Sequence, residues 1–141
     1  MGFLKKVGPE YILRYSLGIT YLYSGFDLFR HPTAWYWALP IWVKQLIASL
    51  VDINLYLKLQ GIAEIILAVL LLSWFLKRVL IKWIALISAL ELAAILLLAF
   101  LPFSQANFLI TFRDIGLLGA ALSLFVILSK ETKPSNGSDI N

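Results

Sequence analysis

Six ionisable side chains, Arg14, Asp27, Glu64, Glu91, Arg113 and Asp114, stand inside runs that are otherwise apolar. No other feature limits the fold so tightly. A lone charge at the centre of a bilayer costs roughly 2.5–3.5 kcal/mol, and a polar group buried without a partner is also penalised. These groups must therefore face one another rather than an apolar surround. The helices that carry them are expected to close around a shared polar centre, and any function is expected to lie there.

The nature of that surround follows from composition. The 141 residues are 61% hydrophobic and 14% charged, with a mean hydropathy of +0.87. A soluble domain is nearer half apolar and about a quarter charged. So small a globule cannot hide the excess, which points to lipid as the solvent. The length leaves no room for a second domain. The chain has no cysteine, so thiolate metal sites and thiol chemistry are excluded, and its single histidine, His31, cannot supply bis-histidine haem ligation. No metal or covalent cofactor is expected. The net charge of +4 reads as membrane topology, not as nucleic-acid binding.

The pattern predicts an all-α chain: one four-transmembrane-helix bundle over residues 1–129, then a flexible cytoplasmic tail over 130–141. Spans are expected at about 10–30, 55–76, 79–101 and 108–129, each long enough at 1.5 Å per residue for a hydrocarbon core of roughly 30 Å. In the first span Arg14, Gly18, Tyr21, Gly25 and Leu28 recur at helical steps, and the glycines permit close helix approach. Pro32 ends it. A loop bearing Trp35, Tyr36 and Trp37 follows, suited to headgroup depth. Residues 41–51 form a short amphipathic helix, with Val43, Leu46, Ile47 and Leu50 on one side, expected to lie in the interface. In the second span Gln60, Glu64 and Ala68 share a face. The third places Ser88, Glu91, Ala94 and Ile95 at helical steps, and the fourth Arg113, Gly116, Ala120 and Ser123. An uncharged connector over 102–107 joins the last two.

Lys5, Lys6, Lys77, Arg78, Lys82, Lys130 and Lys133 fall on one side of such a bundle, against Arg30, Lys44 and Lys58 on the other. Both termini are thus expected in the cytoplasm, in a multi-pass protein of the inner or plasma membrane. The first apolar run follows Lys5 and Lys6 but carries Arg14 and Asp27 and lacks a small-residue cleavage site, so no cleavable signal is expected.

The candidate ligand-binding or proton-exchange residues are Glu64, Glu91, Arg113, Asp114, Asp27, Arg14 and Gln60. Glu64 and Glu91 lie too deep to reach headgroups. Arg14 could instead extend to the cytoplasmic headgroups. Thr111-x-x-Asp114 has capping-box spacing, with Ile110 and Ile115 placed as a staple, so Asp114 could serve as a helix cap. Asp27 and His31 are expected near solvent, and the Trp-rich loop reads more readily as a membrane anchor than as a lid.

The order of these pieces resembles the DoxX/DoxD-like family of small four-helix membrane proteins. The likeness covers roughly residues 12–125: Arg14, Gly18 and Gly25 in the first helix, the outer loop with Pro and Trp, Gln60-Gly61-x-x-Glu64, and a last helix opening with Arg113-Asp114. It implies a subunit of a membrane redox complex, such as the small-subunit type of thiosulfate:quinone oxidoreductase, or a partner of thiol-stress enzymes. With no cysteine here, the carrier would be a quinone or would sit on a redox-enzyme partner. Arg113 would then bind a carbonyl while Glu64 and Glu91 exchange protons. Two rivals are a non-catalytic scaffold whose buried charges fix helix packing, and a homo-oligomer that moves a small polar solute. Membrane lipids are the remaining expected partners.

Overall fold

The computed structural model describes residues 8–100 and 108–131, without the side chains of residues 99–100, 108–112 and 131. All its regular elements are helical: α1 (Pro9–Arg30), a 3-10 segment (Pro32–Ala38), α2 (Ile41–Leu50), α3 (Ile53–Leu72), α4 (Arg78–Phe100) and α5 (Phe108–Glu131). The expected connector over 102–107 and the tail from 132 onward lie outside the described residues.

Pro9 occupies the first turn of α1, where a missing N–H costs nothing. Its C-terminus closes through the His31 N–H to Asp27 O at 2.7 Å before Pro32 forbids another turn. The face it buries, Arg14, Leu17, Gly18, Tyr21, Gly25 and Leu28, includes the stripe expected from spacing. That face lies on α3. A Cβ added to Gly25 would sit 2.7 Å from Gly61 O, and one added to Gly61 would sit 2.7 Å from Gly25 O. The two backbones therefore touch, and only glycine fits at both positions. Gly18 meets Leu72 on the same interface, so the helices run antiparallel.

α3 begins two residues earlier than expected, because Asp52 caps it by accepting the Leu55 N–H at 3.0 Å. It also ends at Leu72, four residues before the expected limit. The cause is Arg14, whose Nε donates to Leu71 O and whose Nη2 donates to Ser73 O. The last carbonyls of a helix lack internal partners and carry the negative end of its dipole. A buried guanidinium there satisfies both and favours stopping the helix. Trp74 and Phe75 then stand exposed in the linker to α4.

α1 packs on α3 and α5, and α4 packs on α5 and α3, which closes the four long helices into a ring. Leu17, Tyr21, Ala68, Leu71, Ile81, Ala85, Ala121 and Leu124 fill its axis. The upper end carries Arg30, the 3-10 segment and α2. The lower end carries Pro9, Leu72 and Arg78, with Glu10 and Arg78 paired at 2.6 Å.

Two expected stripes are corrected. On α5 the buried face is Asp114, Ala121, Leu124 and Leu128, while Gly116 and Ser123 point outward. On α4 it is Ile81, Ile84, Ala85, Ser88, Ala89, Leu92 and Leu96; Ala94 is exposed and Glu91 half-buried. Following the polar and small residues set both rotations wrongly. Burying branched aliphatic side chains in the core shared by the four long helices decided them, since each is worth about 1.5–3 kcal/mol. The capping-box reading of Asp114 is also corrected. α5 starts at Phe108, so Asp114 lies in its second turn and not at the third helical position.

The outward faces are apolar. Ile19, Tyr23, Leu59, Val69, Leu90 and Leu97 are all more than half exposed. On α2, Val43 and Ile47 are buried while Leu46 and Leu50 stay exposed. Among the described residues two helices, Ile53–Leu72 and Arg78–Leu98, are long and apolar enough to cross a membrane. Only 28% and 39% of these windows is buried, so most of each apolar surface faces out of the bundle.

The contact between Gly25 and Gly61 can be tested against a glycine with free space. Gly61→Ala should lower unfolding free energy in mild detergent by about 2–3 kcal/mol through overpacking. Gly116→Ala, whose Cβ meets nothing within 4 Å, should be neutral or stabilising by up to about 1 kcal/mol. Equal effects in thermal denaturation would refute the contact.

Candidate functional site

The two-glycine contact also shapes the polar region above it. With α1 pressed on α3, the Ser24 hydroxyl reaches Glu64 and donates to its Oε2. Glu64 is 7% exposed. Gln60 lies one turn away on the same face of α3, and its Nε2 donates to Glu91 Oε1 on α4 at 2.6 Å. Gln60 thus bridges α3 to α4. Glu91 Oε2 is buried and makes no hydrogen bond among the described residues. Nearby, the Tyr21 hydroxyl donates to Ser88 O at 3.3 Å.

A second cluster forms at the upper rim. Asp114 is 1% exposed and accepts from Arg113 Nε at 2.8 Å. Its burial is tolerable because the cation is adjacent and charge-assisted hydrogen bonds are strong. The Arg113 guanidinium lies 5.6 Å from the centre of the Trp35 ring. The Trp35 indole N–H donates to Asp27 Oδ2 at 2.8 Å, and Asp27 Oδ1 lies 3.0 Å from His31 Nδ1. Asp27 and His31 stay partly exposed, so this chain runs from solvent to the bundle interior.

Between the clusters lies a cavity of about 120 Å³. Ser24, Tyr21, Tyr56, Gln60, Arg113 and Asp114 supply its polar wall. Leu28, Leu57, Leu92, Ile95 and Leu117 supply the apolar one, and Trp35, Leu39 and Pro40 of the upper loop cover it. Glu64 and Glu91 do not line it directly. They stand behind Ser24 and Gln60.

The structure therefore brings together Gln60, Glu64, Glu91, Arg113 and Asp114, with Asp27 tied to them through Trp35. Arg14 is a correction. It lies at the opposite end of the bundle on the α3 carbonyls, and so does not join the other charges. The chain holds Trp35 in the cavity wall rather than leaving it simply as an outward anchor. Sequence reasoning also missed Ser24 and Tyr56. A signal for each was present: Tyr56, Gln60 and Glu64 are spaced by four, and Ser24 follows Thr20 at the same step beside Gly25. Among the described residues no group of three or more His, Asp or Glu side chains is placed to hold a metal ion.

No family model, curated protein or solved structure matches the chain.

The Arg113–Asp114 pair gives a direct energetic test. Arg113→Leu alone should destabilise the bundle by about 2 kcal/mol, because it strands a buried carboxylate while half of the guanidinium was exposed. Arg113→Leu with Asp114→Leu should recover most of that loss. Additive losses in a double-mutant cycle read by thermal denaturation would show the pair to be uncoupled.

Proposed function

We propose that this chain is a DoxX-like multi-pass membrane protein whose four long helices all cross the bilayer. On this reading the cavity takes a quinone or a similar lipophilic head group as part of a membrane redox complex. The carrying observation is an apolar cavity with a guanidinium on its rim and two hydrogen-bonded carboxylates directly behind its polar wall. Its volume approaches the roughly 150 Å³ of a void known to hold benzene, so one ring of a head group fits.

Charge selects the ligand class. Arg113 already has Asp114 as its counterion. An anionic head group is disfavoured, whereas a neutral carbonyl can accept from the guanidinium or from Gln60. Bound quinone supplies the redox chemistry. The chain's own residues orient it and exclude water with Trp35 and Leu39, while Glu64 and Glu91, held by Ser24 and Gln60, exchange protons. The exposed apolar faces suit acyl chains, and the lysines near the lower end suit the cytoplasmic side. α1 carries Glu10, Arg14, Asp27 and Arg30, and α5 carries Arg113, Asp114, Lys130 and Glu131, groups with polar partners or at helix ends.

A scaffold subunit is the second reading. It is favoured by the charges whose partners lie within the bundle, Arg14 on the α3 carbonyls and Glu10 on Arg78. Such groups fix helix register without binding anything.

Two measurements decide. In proteoliposomes, Arg113→Gln should weaken quenching of Trp fluorescence by a short-chain quinone at least tenfold, since a charge-assisted hydrogen bond is worth roughly 1.5–3 kcal/mol, and Glu91→Gln, which acts only through Gln60, should weaken it less. Unchanged quenching in both variants, with the fold intact, would leave only the scaffold. Because the chain lacks cysteine, single-site labelling reads topology cleanly. Lys77→Cys should react with an impermeant maleimide only after cells are permeabilised, and Thr33→Cys in intact cells. The reverse pattern would overturn the orientation.

A further inference from the structure

The lower end carries a second feature that the cavity does not use. An open groove of about 460 Å³ lies between Phe75 and Leu76 of the α3–α4 linker and Val79, Leu80 and Trp83 of α4, with Lys77 at its edge. Lys82 sits beside it, its Nζ 5.3 Å from the centre of the Trp83 ring. The first turn of α4 has no acidic side chain, and the acid from α1 at this end, Glu10, is paired with Arg78. Among the described side chains the local charge is therefore positive. From the groove an unbroken apolar stripe climbs α4 through Val79, Trp83, Ile87, Leu90, Ala94 and Leu97, all of them exposed. At 1.5 Å per residue it runs about 27 Å, close to the thickness of one hydrocarbon core.

Positive charge and aromatic rings at one level, continuous with a long apolar track, fit an amphiphile with an anionic head. We infer that this groove holds the head group of an anionic phospholipid, with Lys77 and Lys82 on its phosphate and an acyl chain along Val79, Trp83 and Ile87. The inference rests on the membrane reading above, but not on the quinone site. Exposed aromatic edges and lysine stems cover the glycerol region, and the lysine ammonium groups give preference for anionic over zwitterionic lipid.

The test uses the full chain in vesicles of equal phosphatidylglycerol and phosphatidylcholine, transferred to mild detergent for native mass spectrometry. Phosphatidylglycerol should be retained over phosphatidylcholine by about thirtyfold, the preference two lysines near an anionic surface supply. Lys77→Gln with Lys82→Gln should bring the ratio near one, whereas Lys58→Gln at the upper end should not change it. Equal retention of both lipids, or a preference that survives the double variant, overturns the site. So does full displacement of the lipid by millimolar inorganic phosphate, which would mark a site for free phosphate. Vesicle flotation separates the levels: a chain that floats without lipid preference loses only this inference, and one that does not float loses the membrane reading as well.

Discussion

The backbone contact between Gly25 and Gly61 sets the geometry of everything above it. With side chains at those positions, α1 and α3 would stand apart by the width of at least a methyl group. Ser24 would then fall short of Glu64, and the acid would lose its donor. Two residues without side chains thus position the Ser24–Glu64 pair. They do so by permitting contact rather than by making bonds.

Charge is handled differently at the two ends of the bundle. At the lower end each buried group meets a structural partner: Arg14 binds the carbonyls where α3 stops, and Glu10 binds Arg78. These are helix-end and helix-start contacts, and they fix where elements begin and finish. At the upper end the partners are only partly internal. Arg113 is half exposed and shared between a carboxylate and an indole ring, and one oxygen of Glu91 is buried without a hydrogen bond among the described residues. A buried acceptor left in this state costs roughly 1–3 kcal/mol.

Much of the inward geometry of α1 and α3 was legible in the residues. On those helices the glycines, the tyrosine and the acid fall on one stripe, and polar and steric signals agree. On α4 and α5 they disagreed. Gly116 and Ser123 resembled packing residues but face outward, because Leu124 and Leu128 claimed the interior. Small residues tolerate either face, so their spacing carries little information when a bulkier stripe competes. Trp35 was misjudged for a related reason. A tryptophan near a helix end suits headgroups and cavity walls equally, and only the position of Asp27 on α1 decided between them.

The sequence by itself determined that the chain is helical, that its outer surface is apolar, and that its few charges need partners. Hydrophobic period and the cost of unpaired charge act locally and can be read residue by residue. Which partner each charge took was decided only by the tertiary structure. Arg14 found backbone carbonyls, which no residue type announces. Gln60 found Glu91 across a helix interface whose rotation depended on aliphatic packing. Partner choice is a property of the whole bundle, because it follows from the relative rotation and depth of helices far apart along the chain.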